Sequence, residues 1–110
     1  MEIEATSADR NLLLEMKGEL DHHGARNALR ELELSIDAAL PKKLVLDLAG
    51  VTFMDSSGIG VLAGRYRKIS CFGGKVYVIH ANRRIRKILE MSGIGDIVEM
   101  IDQEEKIEKQ

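Results

Sequence analysis

A single cysteine, a single proline, no tryptophan, two tyrosines and two phenylalanines leave this chain short of the residues on which disulfide and stacking chemistry depends. Cys71 has no partner for an internal disulfide, which points to a reducing compartment; near a predicted helix end it reads as a small, half-buried hydrophobe. An excess of one charge is missing too, because 16 basic side chains face 18 acidic ones for a formal net charge of −2. No global pull draws such a chain to nucleic acid or to an anionic membrane surface, so a charge-driven partner must see a local patch. Apolar runs such as Leu12-Leu13-Leu14 and Val61-Leu62-Ala63 fall far short of the roughly 20 residues that cross a bilayer, so no membrane span is expected. The opening MEIEATSADR is acidic and lacks an apolar signal core, which predicts no export and a cytoplasmic location.

What the chain does have is 45% hydrophobic and 31% charged residues over 110 positions, enough for one globular domain, 1–110, with one core. Alternation of Leu12, Leu14 and Met16 with Leu13, Glu15 and Lys17 predicts a strand over 11–17. A short strand over 2–5 would pair with it across the polar turn Thr6-Ser7-Ala8-Asp9, with Gly18 ending the hairpin. Ala25, Ala28, Leu29, Leu32, Ile36, Ala39 and Leu40 then recur at helical spacing until Pro41 stops them. KLVLDL at 43–48 and KVYVIH at 75–80 read as inner strands. Between them, Ile59, Leu62, Ala63, Tyr66 and Ile69 mark the core face of a second helix that ends before Gly73-Gly74. A third helix runs from an Asn82 cap through Ile85, Ile88 and Leu89 to a left-handed Gly93, and 97–101 offers a last strand. The tail from about residue 102, charged and with a single apolar residue, is expected to be a frayed helix or disordered. After the first hairpin the elements alternate, so the helices should serve as crossovers between mostly parallel strands.

The segment FMDSSGIGVLAGRYRK at 53–68 places two hydroxyls, Ser56 and Ser57, at a helix entrance. Capping is the plain reading: Ser57, just before Gly58, is well placed to satisfy the free N–H groups of the first turn. Three features favour a switch instead. Gly58-Ile59-Gly60 is a poor helix start, each glycine costing about 1 kcal/mol relative to alanine, and glycines leave the backbone open to close approach. Gly60, Val61, Gly64 and Lys68 lie roughly opposite the core positions, presenting a flat face suited to docking. Asp21 in GELDHH and Asp55 both sit at predicted strand-to-helix junctions, which gather at one end of a parallel sheet, and the serines share that end.

Other chemistry fits less well. Gly58-x-Gly60-x-x-Ala63 matches a relaxed dinucleotide fingerprint, yet KVYVIH ends in His80 where a ribose-binding carboxylate is required. A hydrolase elbow needs glycine where Met54 and Asp55 stand. Gly73-Gly74-Lys75 fails as a Walker loop, with Ile69 and Val76 at its two other defining positions. Asp21-His22-His23 lacks supporting ligands for a metal, so Asp21 is read as helix-entrance chemistry. Arg83, Arg84, Arg86 and Lys87, with Arg65, Arg67 and Lys68 elsewhere, could meet RNA or an acidic protein. Without interleaved aromatics for base stacking, the cluster reads first as a solvated helix face, and no direct nucleic-acid contact is expected.

GELDHH at 18–23, FMDSSGIGVLAGRYRK at 53–68 and MSGIGDIV at 91–98, in this order and spacing, resemble the anti-sigma-factor antagonists of the STAS family, above all those acting on sporulation sigma factor F. The resemblance implies an α/β fold, a mixed five-stranded sheet with helices packed on it. It also implies a binding protein that is no enzyme and carries no cofactor. The unphosphorylated form would bind an anti-sigma factor that is also a serine kinase, with its bound nucleotide, and so release the sigma factor. Phosphorylation of the second serine of the DSSG turn, Ser57 here, would inactivate it, and a serine phosphatase would restore it. Asp21, Asp55, Ser56 and Gly58 would form the neighbourhood of that switch. The rival expectation is a small nucleotide-binding or sensor domain using the Gly58-Ile59-Gly60 turn for a ligand phosphate.

Overall fold

The computed structural model describes residues 1–101; the tail expected from about residue 102 lies outside the described residues. The elements run β1 (Glu2–Ala8), β2 (Asn11–Leu20), α1 (His22–Ala39), β3 (Lys43–Met54), α2 (Ser56–Ser70), β4 (Lys75–Ile79), α3 (Arg83–Met91), a 3-10 turn (Ile94–Asp96) and β5 (Glu99–Ile101). They build a five-stranded sheet in the order β1-β2-β3-β4-β5, with β1 antiparallel to β2 and every later pair parallel. This is the mixed sheet expected. Because strand order follows chain order, right-handed crossovers all fall on one side of the sheet. Accordingly, Leu32 and Ile36 of α1, Leu62 and Ile69 of α2, and Ile85 and Leu89 of α3 share a single core with Leu12, Leu14, Leu44, Leu46, Val76 and Val78. The other sheet face holds a smaller cluster of Val45, Tyr77 and Ile79.

Several boundaries differ from expectation. Strand β1 continues to Ala8, and the hairpin closes at Asp9 and Arg10, both left-handed (φ 50° and 65°), instead of across Thr6 to Asp9. Two consecutive positive φ values match the twist of the paired strands, so two-residue hairpins favour them. Gly18 does not end β2: the strand passes through it at φ 124° and runs on to Leu20. Strand β3 overruns its expected end at Leu48 and reaches Met54, taking one extra residue against β2 at each of two register shifts. Such bulges bend a strand and re-aim its end. Leu29 and Leu40, expected on the buried stripe of α1, are 39% and 54% exposed. Leu40 instead closes the helix with φ 44°, as the left-handed cap before Pro41. Cys71 is exposed, one residue past the last turn of α2. Gly93 is left-handed as expected (φ 83°), but the last strand begins at Glu99 because Ile94–Asp96 forms the 3-10 turn.

Candidate functional site

Register builds the site. Leu20 pairs with Met54 at the carboxyl ends of β2 and β3, so the next residues, Asp21 and Asp55, open neighbouring helices. The Asp21 carboxylate accepts from the Gly24 N–H at 2.8 Å. That of Asp55 accepts from the Ser57 N–H at 2.9 Å and the Gly58 N–H at 3.4 Å. Both aspartates have extended backbones, as N-cap residues do; Asp21 satisfies one amide of its first turn and Asp55 two.

The capping role expected of Ser57 therefore belongs to Asp55, because β3 runs on from Leu48, where its apolar pattern suggested an end, to Met54. Ser56 and Ser57 are the first two residues of α2, Ser56 exposed and Ser57 half-buried. With the cap occupied, no hydrogen bond among the described residues engages either hydroxyl.

Glycine matters at two positions here. A Cβ on Gly58 would lie 2.6 Å from the Leu20 carbonyl oxygen, and one on Gly24 only 1.9 Å from that of Glu19. Each helix thus begins pressed onto the end of β2, at a distance no side chain allows. At Gly58 the open backbone serves strand packing, so that approach is not left for a ligand phosphate. Gly60 is different, since a Cβ there meets nothing within 4 Å.

The flat docking face expected from Gly60, Val61, Gly64 and Lys68 is only partly present. Gly60 is exposed and Gly64 half-buried, but Val61 is 9% exposed and belongs to the core. Helix α2 packs against α1 as well as the sheet, which widens its buried arc beyond one stripe. Lys68 is drawn into an ionic clasp with α1, pairing with Glu33 and, at 2.6 Å, with Asp37. Hydrogen bonds to Asp37 and then Glu33 hold its ammonium above the usual lysine range. Arg65 also pairs with Glu33, though its Nη1 is not aligned for a hydrogen bond, so the contact is ionic. Burial lowers the Arg65 guanidinium against the opposing pull of Glu33. Sequence reasoning missed this clasp; Glu33 and Asp37, one turn apart on α1, were the available signal.

His22 and His23 occupy on α1 the places that Ser56 and Ser57 occupy on α2, and both are exposed. His80, where a ribose-binding carboxylate was sought, adopts φ 59° and sets its Nδ1 3.0 Å from Asp47 Oδ1, away from the serine turn. Among the described residues no cluster of three metal-ligating side chains occurs, and no helix is long and apolar enough to cross a membrane.

The family model for the STAS domain matches residues 2–107. An anti-sigma F factor antagonist of Paenibacillus polymyxa is 37% identical over 93 residues, covering 84% of this chain and 80% of the relative. Among solved structures, the Bacillus cell fate determinant SpoIIAA in its phosphorylated form superposes with a TM-score of 0.73 at 25% identity, covering 98% of both chains. A putative anti-sigma factor antagonist from Thermotoga maritima superposes with a TM-score of 0.87 at 19% identity, over 97% of this chain and 92% of that one.

Proposed function

The chain belongs to the STAS domain family, and we propose that within it the protein is an anti-sigma factor antagonist switched by phosphorylation of Ser57. In its unmodified form it binds an anti-sigma factor that is also a serine kinase and carries a nucleotide, and the sigma factor, of the sporulation F type, is released. Phosphorylation ends that binding and a serine phosphatase restores it, in the cytoplasm. The protein is the substrate in this cycle and not a catalyst. One observation carries the reading: Asp55 occupies the cap, so the Ser57 hydroxyl stands at the helix entrance with no hydrogen bond to lose among the described residues. The likeness to a relative described as an anti-sigma F factor antagonist supports the partner class. The superposition on a SpoIIAA described as phosphorylated supports the modification.

A phosphoserine adds about −1.5 to −2 charges. A helix N-terminus favours such a charge, so the fold tolerates it. The same entrance already holds the Asp55 carboxylate, and Asp21 caps the neighbouring helix, so the new charge adds to charge of the same sign at this end of the sheet. Pressing it into an interface strips its water beside like charges; a penalty of about 3 to 4 kcal/mol lowers affinity a few hundredfold. The test is incubation with the cognate kinase and ATP, comparing Ser57→Ala with Ser56→Ala by phosphopeptide mapping. Label is expected on Ser56→Ala and absent from Ser57→Ala; label retained by Ser57→Ala rejects the site.

A further inference from the structure

Seven large hydrophobic side chains are exposed among the described residues, and four of them collect at one end of the fold. In a parallel sheet with helical crossovers each helix ends where the next strand begins, at the end opposite the helix entrances. Leu40 stands one residue past α1, Phe72 two past α2, Met91 closes α3 and Ile97 comes just before β5. They are 54%, 42%, 79% and 40% exposed. The segments at this end abut: the Lys42 N–H donates to the Arg10 carbonyl at 2.8 Å and the Lys75 N–H to the Lys42 carbonyl at 2.9 Å. Between the starts of β4 and β5, Tyr66, Ser70, Gly74, Lys75, Ile97 and Glu99 line an open cleft of about 330 Å³.

Charge divides the same end into two halves. Lys42 precedes β3 and Lys75 opens β4, whereas Asp96 closes the 3-10 turn and Glu99 opens β5. All four are exposed, and none enters an ion pair among the described residues. Arg10, on the hairpin beside Lys42, is offset by its neighbour Asp9. The basic half therefore lies over β3 and β4, the acidic half over β5, and the cleft falls between them.

We propose that this end is the interface of a homodimer, in which two chains meet end to end about a two-fold axis perpendicular to the sheet between β4 and β5. Such an axis sets helix layer on helix layer and sheet on sheet while reversing the strand order. Phe72 of each chain then faces the cleft of the other, and Lys75 faces the other copy's Glu99. A second copy is the occupant that the charges select, because each chain carries both halves and the two-fold turn sets basic against acidic twice over. The area agrees: at about 150 to 200 Å² for a whole side chain, the four exposed hydrophobics offer about 400 Å², near the apolar half of the roughly 800 Å² that each partner brings to a standard interface. Ser57 lies at the opposite end of each chain, so both serine turns stay open and the dimer does not depend on the antagonist reading.

Sedimentation velocity of the full-length chain tests this, over concentrations that bracket an expected dissociation constant on the order of 10 µM for an interface of this size. Phe72→Glu is expected to weaken dimerisation at least about a hundredfold. Phe53→Glu, an equally exposed phenylalanine at the serine end, should leave it unchanged. Lys75→Glu and Glu99→Lys are each expected to weaken it about tenfold, because each alone sets like charges across the axis twice. Mixed in equal amounts, these two variants should recover wild-type association, since every reversed charge then meets its opposite in the other chain. Pairing within one chain cannot produce that rescue. The substitutions all lie on exposed residues, and circular dichroism verifies that the variants remain folded. A single-chain mass for wild type at every concentration overturns the second copy and assigns this end to a different protein. A mixture that associates no better than its two components, or a Phe72→Glu chain that dimerises like wild type, overturns the interface. No anti-sigma factor enters the assay, so either failure leaves the antagonist reading standing.

Discussion

Two helix entrances stand side by side in this domain, Asp21-His22-His23-Gly24 and Asp55-Ser56-Ser57-Gly58, and they share one plan. Each has an aspartate cap, two intervening residues and a glycine pressed against the end of β2. They differ in the two middle side chains and in how close the glycine comes. Histidines stand at one entrance and hydroxyls at the other, so the scaffold that presents a residue is separate from the chemistry it presents. The shared parts should therefore govern stability, and the unshared parts partner binding.

The glycines test the shared plan most severely. Gly24→Ala, with its Cβ 1.9 Å from a backbone oxygen, should lose more than about 3 kcal/mol or fail to fold, while Gly58→Ala, at 2.6 Å, should lose about 2 to 3 kcal/mol. Urea denaturation ranks them, and a larger loss at Gly58 breaks the comparison. The unshared positions come next. Ser57→Asp should weaken anti-sigma factor binding at least about tenfold, roughly 1.4 kcal/mol, with its melting curve intact, whereas His23→Asp at the matching place on α1 should change affinity much less. Equal losses in calorimetry would mean that charge anywhere at this end of the sheet suffices.

Smaller effects sharpen the picture. Asp55→Ala and Asp21→Ala should each destabilise by about 1 kcal/mol, lowering the melting temperature by several degrees. The Asp55 change should be the larger, because that carboxylate serves two amides and Asp21 serves one. Last comes Gly60→Ala, where nothing lies within 4 Å of the added carbon. Helix propensity alone then applies, and thermal melting should show a gain of about 0.5 to 1 kcal/mol, opposite in sign to Gly58→Ala.

Much of the fold was legible because burial leaves a period in the chain. Leu32 and Ile36 on α1, Leu62 and Ile69 on α2, and the apolar runs of β3 and β4 were placed correctly by spacing alone. The second half of β3 was not, since AGVTFM has small and polar residues where bulges, not alternation, set the path. That miss displaced the cap from Asp55 to Ser57. Val61 and Lys68 were misread for a related reason: one periodic stripe shows which side meets the sheet, but not that α1 covers a second side of α2.

Local pattern by itself settled the order and type of the elements, the end of the sheet at which the serines gather, and the presence of aspartates beside them. These follow from interactions within a few residues, where spacing along the chain stands for spacing in the molecule. Only the tertiary structure decided which aspartate caps α2, which glycine bears a strand against it and which cations stay uncompensated. Each of those depends on how near two segments distant in the chain are brought by packing, and an ångström of that approach separates a required glycine from a replaceable one.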